Sequence, residues 1–249
     1  MFLTIEGLDG SGKTTQLNML EKAFKEEKKQ VRTYHFPNHN DMCTGFIINK
    51  YLRGDFGKLE DTDPYLTSFI FAVERSMSAG KMYSCLNVNM LIMADRYVES
   101  NIAYQAAKIK DIQERGIFSA WDRKMEYTYF KIPKPDLNLF LDVPIEDIKA
   151  NIEKRDEEEN RKYLDGGIDI HERNYDYLQS VRDIYLDNCE KGFMRRLDCS
   201  DETGHMGSPE YIFQKIKTLL DTEYFTIFTI LKKKDRTDWV PTKTRNDTL

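Results

Sequence analysis

Residues 7–14 read Gly-Leu-Asp-Gly-Ser-Gly-Lys-Thr, and the apolar run Phe2-Leu3-Thr4-Ile5 stands directly before them. The pattern Gly-x-x-x-x-Gly-Lys-Thr is typical of a phosphate-binding loop. Its context fits, because residues 2–6 read as a buried strand and residues 13–28 as a helix. Glycines between a strand and a helix let backbone N–H groups converge on phosphate oxygens beside the positive end of the helix dipole. The sequence therefore predicts a phosphate site, with an ordinary glycine-rich turn as the alternative.

The loop also predicts roles for single residues. The Lys13 ammonium can reach the transferred phosphate, and the Thr14 hydroxyl can coordinate Mg²⁺. The predicted ATP-binding residues are Gly7, Leu8, Asp9, Gly10, Ser11, Gly12, Lys13, Thr14 and Thr15.

Composition excludes several classes of protein. The 249 residues carry a net charge of −5 with 32% charged residues, so no basic surplus indicates a nucleic-acid partner. No apolar run of about eighteen residues or more occurs, and no leader precedes the first strand, so we expect a cytoplasmic protein without a membrane partner. The four cysteines lack metal-ligand spacing, which argues against zinc or a disulfide framework.

Strand-like and helical segments alternate along the chain, which is typical of a parallel sheet covered by helices. The predicted strands are Phe2–Glu6, Val31–Phe36, Asn89–Ala94, Leu137–Val143 and Phe193–Asp198. The predicted helices are Lys13–Lys28, Cys43–Leu52, Pro64–Leu86, Val98–Ala107, Ser119–Phe130, Ile145–Glu153, Asp169–Cys189 and Pro209–Leu220. Two segments break the pattern: the highly charged stretch at 154–167 and the tail from residue 221. We expect ligands beyond the carboxyl ends of the strands.

A second pair of residues with chemical potential follows the third predicted strand. Asp95 can hold Mg²⁺, and Arg96 can bind a phosphate with its two-pronged guanidinium group. Asp-Arg neighbours are also common as exposed ion pairs, which is the alternative. Their position at the end of a buried strand favours the functional interpretation.

These motifs together resemble the thymidylate kinase family. The resemblance rests on residues 5–15, Phe36-Pro37, Phe71-Ala72-Val73-Glu74-Arg75, Asp95-Arg96-Tyr97, residues 100–105 and Pro133-Lys134-Pro135-Asp136-Leu137, in the family's order and spacing. It continues through residues 169–172 and 181–186. It implies a P-loop NTPase-type α/β fold, with a parallel five-stranded sheet covered by helices on both faces and a mobile lid insertion. The expected boundaries are a kinase-like domain at 1–220, a lid at about 154–168 and an extension of unknown role at 221–249.

The resemblance also implies where the thymine base binds. Phe71 and Arg75 lie four residues apart on one helix face, where they can supply stacking and a hydrogen bond. Asn101 can offer a donor and an acceptor, and Tyr104 resembles the residue that crowds the 2′ position of the sugar. For Phe71 and Tyr104, ordinary core packing remains the alternative. The expected substrate-binding residues are Asp9, Phe36, Pro37, Phe71, Arg75, Arg96, Ser100, Asn101, Tyr104 and Glu172.

Three further expectations concern acidic residues and a turn. In the family, the acid matching Asp9 lies near the acceptor's 3′-hydroxyl and phosphate, and we count Asp9 with Thr14 and Asp95 as a metal-site residue. Glu172, helped by Asp169, resembles a pair that starts the helix after the lid; for Asp169 we favour helix capping. Phe36-Pro37 predicts a turn beside the acceptor, for which a cis peptide bond is one option.

Phosphoryl transfer mainly requires positive charge on the migrating group. Some family members carry an arginine inside the phosphate loop, but Gly10 occupies that position here, so the remaining charge is expected from the lid. Arg155 and Arg161 are the candidates, and with Lys13, Arg96 and Asp9 they form the predicted catalytic set. A solvated loop with self-cancelling charges is the alternative.

The function predicted from the resemblance is phosphorylation of dTMP by ATP-Mg²⁺, in dTTP synthesis, by a homodimer that forms through helices such as 64–86. A deoxynucleoside kinase or a broader nucleoside monophosphate kinase is the enzyme alternative. A nucleotide-dependent switch is the non-enzyme alternative, although the chain lacks an Asn-Lys-x-Asp guanine motif.

Overall fold

A five-stranded, all-parallel sheet organises the chain. The strands are β1 (Phe2–Glu6), β2 (Val31–His35), β3 (Leu91–Asp95), β4 (Leu137–Asp142) and β5 (Arg195–Asp198). Their order in the sheet is β2-β3-β1-β4-β5. Strands β1 and β3 are buried along their whole length, as their continuous apolar runs predict for the centre of a parallel sheet. The predicted parallel five-stranded α/β fold is confirmed.

The computed structural model describes residues 1–158, 164, 169–172 and 174–224, and of residues 156–158 and 223–224 it describes the backbone alone. The chain divides into two compact units, Met1–Phe213 and Gln214–Leu249. In the second unit, Thr222 Oγ1 donates to the Thr218 carbonyl oxygen at 2.8 Å. The predicted tail contacts beyond residue 224 lie outside the described residues.

Eight α-helices connect and follow the strands in the described part of the chain. They are α1 (Lys13–Glu26), α2 (Thr44–Arg53), α3 (Pro64–Asn87), α4 (Val98–Ala106), α5 (Ile112–Lys124), α6 (Ile145–Glu158), α7 (Tyr175–Glu190) and α8 (Pro209–Leu219). None of these helices has both the length and the apolar character needed to cross a membrane.

Two predicted helix starts were wrong, and local capping explains both. Helix α5 begins at Ile112 rather than Ser119, because the Asp111 carboxylate accepts from the Glu114 N–H at 2.8 Å. Helix α7 begins at Tyr175 rather than Asp169, because Asn174 is its N-cap. Asp169 therefore does not cap α7.

Strand register places the loop after β1 beside the end of β3. Ile5 pairs with Asp95, and the Arg96 N–H donates to the Ile5 carbonyl oxygen at 2.9 Å. Below this edge, the Tyr97 ring packs on Phe2 and Phe36, with ring centroids 5.0 and 5.6 Å away. The Phe36–Pro37 peptide bond, which precedes the predicted turn, is cis. The fold thus brings the sequence-distant motifs to one edge of the sheet.

Candidate active site

The phosphate-binding loop joins β1 to α1 with the backbone that its glycines allow. Gly10 and Gly12 have φ of 81° and 78°, the left-handed region that glycine enters without strain. A Cβ atom at Gly10 would also lie 3.2 Å from both Asn151 Cβ and the Ile148 carbonyl oxygen. Position 10 is therefore strained for any larger residue, including arginine.

Lys13 begins α1 and turns back across the loop. Its ammonium Nζ donates to the Leu8 carbonyl oxygen at 2.6 Å. Burial, together with the Arg96 cation, lowers the pKa of Lys13 to about 8. The side chain is thus a buried amine beside the backbone that would surround a phosphate.

Thr14 and Asp95 form the part of the site that fits a magnesium ion. Thr14 Oγ1 donates to Asp95 Oδ2 at 2.6 Å, which joins the loop to the end of β3. Burial opposes ionisation of Asp95, but the hydrogen bond from His35 and the Lys13 and Arg96 cations hold its pKa below the ordinary value. A hydroxyl beside an ionised carboxylate offers the oxygen ligands that Mg²⁺ requires.

Asp9, Arg96 and Tyr104 form a hydrogen-bonded cluster beside the loop. Arg96 Nη2 donates to Asp9 Oδ1 at 2.6 Å, and the Tyr104 hydroxyl donates to Asp9 Oδ2 at 2.9 Å. Burial would raise the pKa of Asp9, but the cations of Arg96, Lys13 and Arg155 lower it well below its ordinary value. Both Asp9 oxygens already accept hydrogen bonds, so the geometry favours Thr14 and Asp95 over Asp9 as metal ligands.

Ser100 connects Arg96 to a buried acid beneath the loop. Arg96 Nη1 donates to Ser100 Oγ at 3.3 Å and to the Gly7 carbonyl oxygen at 3.0 Å. Ser100 Oγ in turn donates to the Glu6 carboxyl group. Burial raises the pKa of Glu6 to about 7. Ser100 therefore links Arg96 to Glu6, because it accepts a hydrogen bond from the first and donates one to the second.

A cavity opens next to this cluster, between α3, α4 and the turn at 169–172; we call it the base cavity. Its lining includes most of the predicted substrate-binding residues, which the sequence separates by more than sixty positions. The predicted residues that line it are Asp9, Phe36, Pro37, Phe71, Arg75, Arg96, Ser100, Asn101 and Tyr104.

Arg75 is held in the cavity wall by a buried ion pair. Its Nε and Nη2 atoms donate to the two carboxylate oxygens of Glu126 at 2.7 and 2.5 Å. Phe71, one turn earlier on α3, meets the Tyr51 ring edge-on with centroids 6.0 Å apart. Arg75 is thus a fixed cation and Phe71 a supported apolar surface, in the same wall.

Glu172 lies in the turn at 169–172 rather than in a helix. Its carboxylate accepts from Arg155 Nη2 at 2.7 Å, and Arg155 is at the end of α6. In the same turn, Asp169 Oδ1 accepts from the His171 N–H at 2.9 Å. One predicted lid arginine therefore lies close to a predicted substrate residue. Arg161 and most of the predicted lid lie outside the described residues.

Several lining residues are absent from the sequence-based set. His171 and Gln105 are buried in the wall, together with the less buried His39. The His171 Nε2 atom lies 2.8 Å from the Tyr51 hydroxyl, and burial with the Lys108 cation lowers its pKa to about 3. Gln105 follows Tyr104 in the quoted motif, so its position was a usable signal. His171 lies within residues 169–172 of the resemblance, so its position was a usable signal as well.

Comparison with known proteins gives a consistent result. The family model described as thymidylate kinase matches residues 5–206. A thymidylate kinase of Mycobacterium tuberculosis is 32% identical over 146 residues, which cover 59% of this chain and 67% of that protein. A probable thymidylate kinase of Pyrobaculum aerophilum is 30% identical over 187 residues, covering 74% and 81% respectively.

The same fold occurs in the solved structure of thymidylate kinase from Candida albicans. The two structures superpose with a TM-score of 0.62 at 22% identity, over 89% of this chain and 91% of that one. This likeness concerns the fold alone.

Proposed function

The chain belongs to the thymidylate kinase family and is a phosphotransferase that phosphorylates dTMP to dTDP; we propose that ATP-Mg²⁺ is the donor and that transfer is direct. The observation that carries this proposal is that Asp9 of the phosphate-binding loop also lines the base cavity, where it pairs with Arg96. One side chain pair thus lies between the donor side and the acceptor side.

On the donor side, the loop backbone and Lys13 bind the ATP phosphates. Thr14 and Asp95 would hold Mg²⁺, which when bound would supply positive charge to the phosphates. Lys13 moves from the Leu8 carbonyl oxygen to the transferred phosphate, whose negative charge favours the protonated ammonium.

On the acceptor side, Arg96 binds the dTMP phosphate and Asp9 keeps the guanidinium group in place. An arginine fork matches phosphate oxygens in two parallel hydrogen bonds. Tyr104, which donates to Asp9 and lines the base cavity, would crowd a ribose 2′-hydroxyl. Phe71 and Arg75 bind the base, and Arg155 adds positive charge to the migrating group.

We also propose that the enzyme is a cytoplasmic homodimer that associates through α3. This helix exposes an apolar stripe at helical spacing, in which Leu66, Phe69 and Met77 are 70%, 47% and 57% exposed. Sedimentation equilibrium should show a dimer, and Met77→Asp should yield monomers. A wild-type monomer at micromolar concentration would contradict this assignment.

The proposed reaction is tested by measuring ADP release from ATP-Mg²⁺ with and without dTMP. We expect release to depend on dTMP and to match dTDP formation one to one. ADP release that ignores dTMP would instead indicate a nucleotide-dependent switch.

A further inference from the structure

The amide group of Asn101 is surrounded by acceptors on one side. Its Nδ2 atom lies 3.1 Å from the Ser68 carbonyl oxygen, 3.0 Å from Ser68 Oγ, 3.1 Å from Asp122 Oδ1 and 3.3 Å from Glu126 Oε1. An amide nitrogen has two hydrogens to donate, whereas an amide oxygen only accepts. These neighbours therefore determine which end of the amide faces α3 and α5.

The opposite end of the amide has no such partner. Asn101 is 5% exposed and lines the base cavity, and its Oδ1 atom is buried without a hydrogen bond from any described residue. Leaving a buried acceptor unpaired is unfavourable, because it has lost its hydrogen bonds to water. A ligand N–H would satisfy this oxygen.

The acceptor layer is itself fixed. Ser68 Oγ donates to Asp122 Oδ1, and Asp122 is fully buried. Glu126 is held by the fork from Arg75. Burial raises the pKa of Asp122 well above its ordinary value, and a neutral carboxyl group still accepts at its carbonyl oxygen. Turning the amide over would set its oxygen against these acceptors, so one orientation is strongly preferred.

We propose that Ser68 and Asp122 are positioning residues for base selection, because they hold Asn101 with its oxygen available to a ligand N–H donor. The inference rests on the proposed function, which puts the dTMP base in this cavity. Thymine presents an N–H group between two carbonyls, whereas cytosine has a lone pair at the same ring nitrogen beside an amino group. The site therefore accepts thymine and rejects cytosine.

The test compares kcat/KM for dTMP and for dCMP in matched variants. Asp122→Leu removes the acceptor, and we expect the dTMP-to-dCMP ratio to fall about tenfold or more, since polar groups left unpaired drive such discrimination. Asp122→Asn keeps an oxygen towards Ser68 and Asn101, and should hold the ratio within about threefold of wild type. If Asp122 contributed only to stability, Asp122→Leu would lower kcat/KM for dTMP and for dCMP by the same factor.

Ser119→Ala is the control on the same helix, because Ser119 Oγ donates to the Arg115 carbonyl oxygen at 2.8 Å and Ser119 lies outside the cavity lining. If Asp122→Leu shows no cooperative thermal transition, Ser68→Ala decides, with an expected fall of about threefold or more. A folded variant with an unchanged ratio overturns the inference alone. If the wild-type enzyme phosphorylates dCMP with the same kcat/KM as dTMP, both the inference and the substrate assignment are overturned.

Discussion

The donor loop (residues 7–14) and the base cavity are built in opposite ways. The loop is continuous in sequence, its glycines set the backbone, and its one cation, Lys13, lies close to Arg96. The cavity is assembled from α3, α4 and a turn about a hundred positions from α3, and its polar groups are mostly paired within the wall. The comparison teaches that the shape of the donor loop is set by local sequence, whereas the base cavity depends on packing between distant helices.

The Lys13→Ala substitution tests the donor loop and has the largest expected effect on activity. We expect kcat to fall about a thousandfold, because one preorganised cation at the migrating phosphate is lost, while the thermal transition persists. The control is Lys22→Ala, which removes an exposed lysine from the same helix. Turnover of Lys13→Ala within threefold of wild type would remove the loop from the mechanism.

Arg96→Lys tests the residue that the two regions share. Lysine keeps the charge but loses the planar guanidinium group that donates to Asp9 and that we propose binds phosphate, so kcat/KM for dTMP should fall about a hundredfold. Tyr104→Phe removes the 2.9 Å hydrogen bond to Asp9 and the 3.3 Å hydrogen bond from Arg96 Nη2, and should cost less than tenfold. Equal losses in steady-state assays of the two variants would show that Asp9, rather than phosphate, is the main partner of Arg96.

Arg155→Ala probes whether the donor side extends to the lid. We expect kcat to fall about tenfold with KM changed much less, as for an interaction made mainly in the transition state. Lys149→Ala on the same helix is the control. Arg161→Ala should behave similarly if that residue shares the role, and normal turnover in both arginine variants would refute the lid assignment.

The smallest expected effect is on the pH dependence of stability, and it concerns Glu74, which lies beside Arg75 on α3. Burial raises the pKa of Glu74 to about 7 from 4.5 in the unfolded chain, so the folded state binds more protons between these values. Stability contributed by this residue is therefore lost as pH rises from about 4.5 to 7. Glu74→Gln should raise Tm relative to wild type more at pH 8 than at pH 5. The exposed Glu60→Gln is the control, and a Tm difference independent of pH would contradict the prediction.

The fold and the donor loop were predictable because their signals are local. Strand-like segments predicted all five strands, with bounds that differ from the observed ones by at most two residues. The wrong starts of α5 and α7 also had a local cause, because Asp111 and Asn174 are the N-caps of these helices. The sequence did not single them out, since other polar residues nearby could also have served as the N-cap.

The support of the base cavity was not predictable in the same way. Glu126 and Asp122 lie about fifty positions from the α3 residues that they contact, and nothing in their own sequence neighbourhood marks them as buried. Only the crossing of α3, α4 and α5 brings these side chains together. The roles of the site residues remain predictions that the variants above test.

The most direct test of the two-sided site is a kinetic panel of dTMP, dUMP, dCMP, dGMP, dAMP and UMP with ATP-Mg²⁺. The account predicts that kcat/KM is highest for dTMP, with UMP disfavoured by crowding at Tyr104 and dCMP by the Asn101 oxygen. A different acceptor with the highest kcat/KM would contradict the assignment of the base cavity, even if phosphoryl transfer from ATP were still observed.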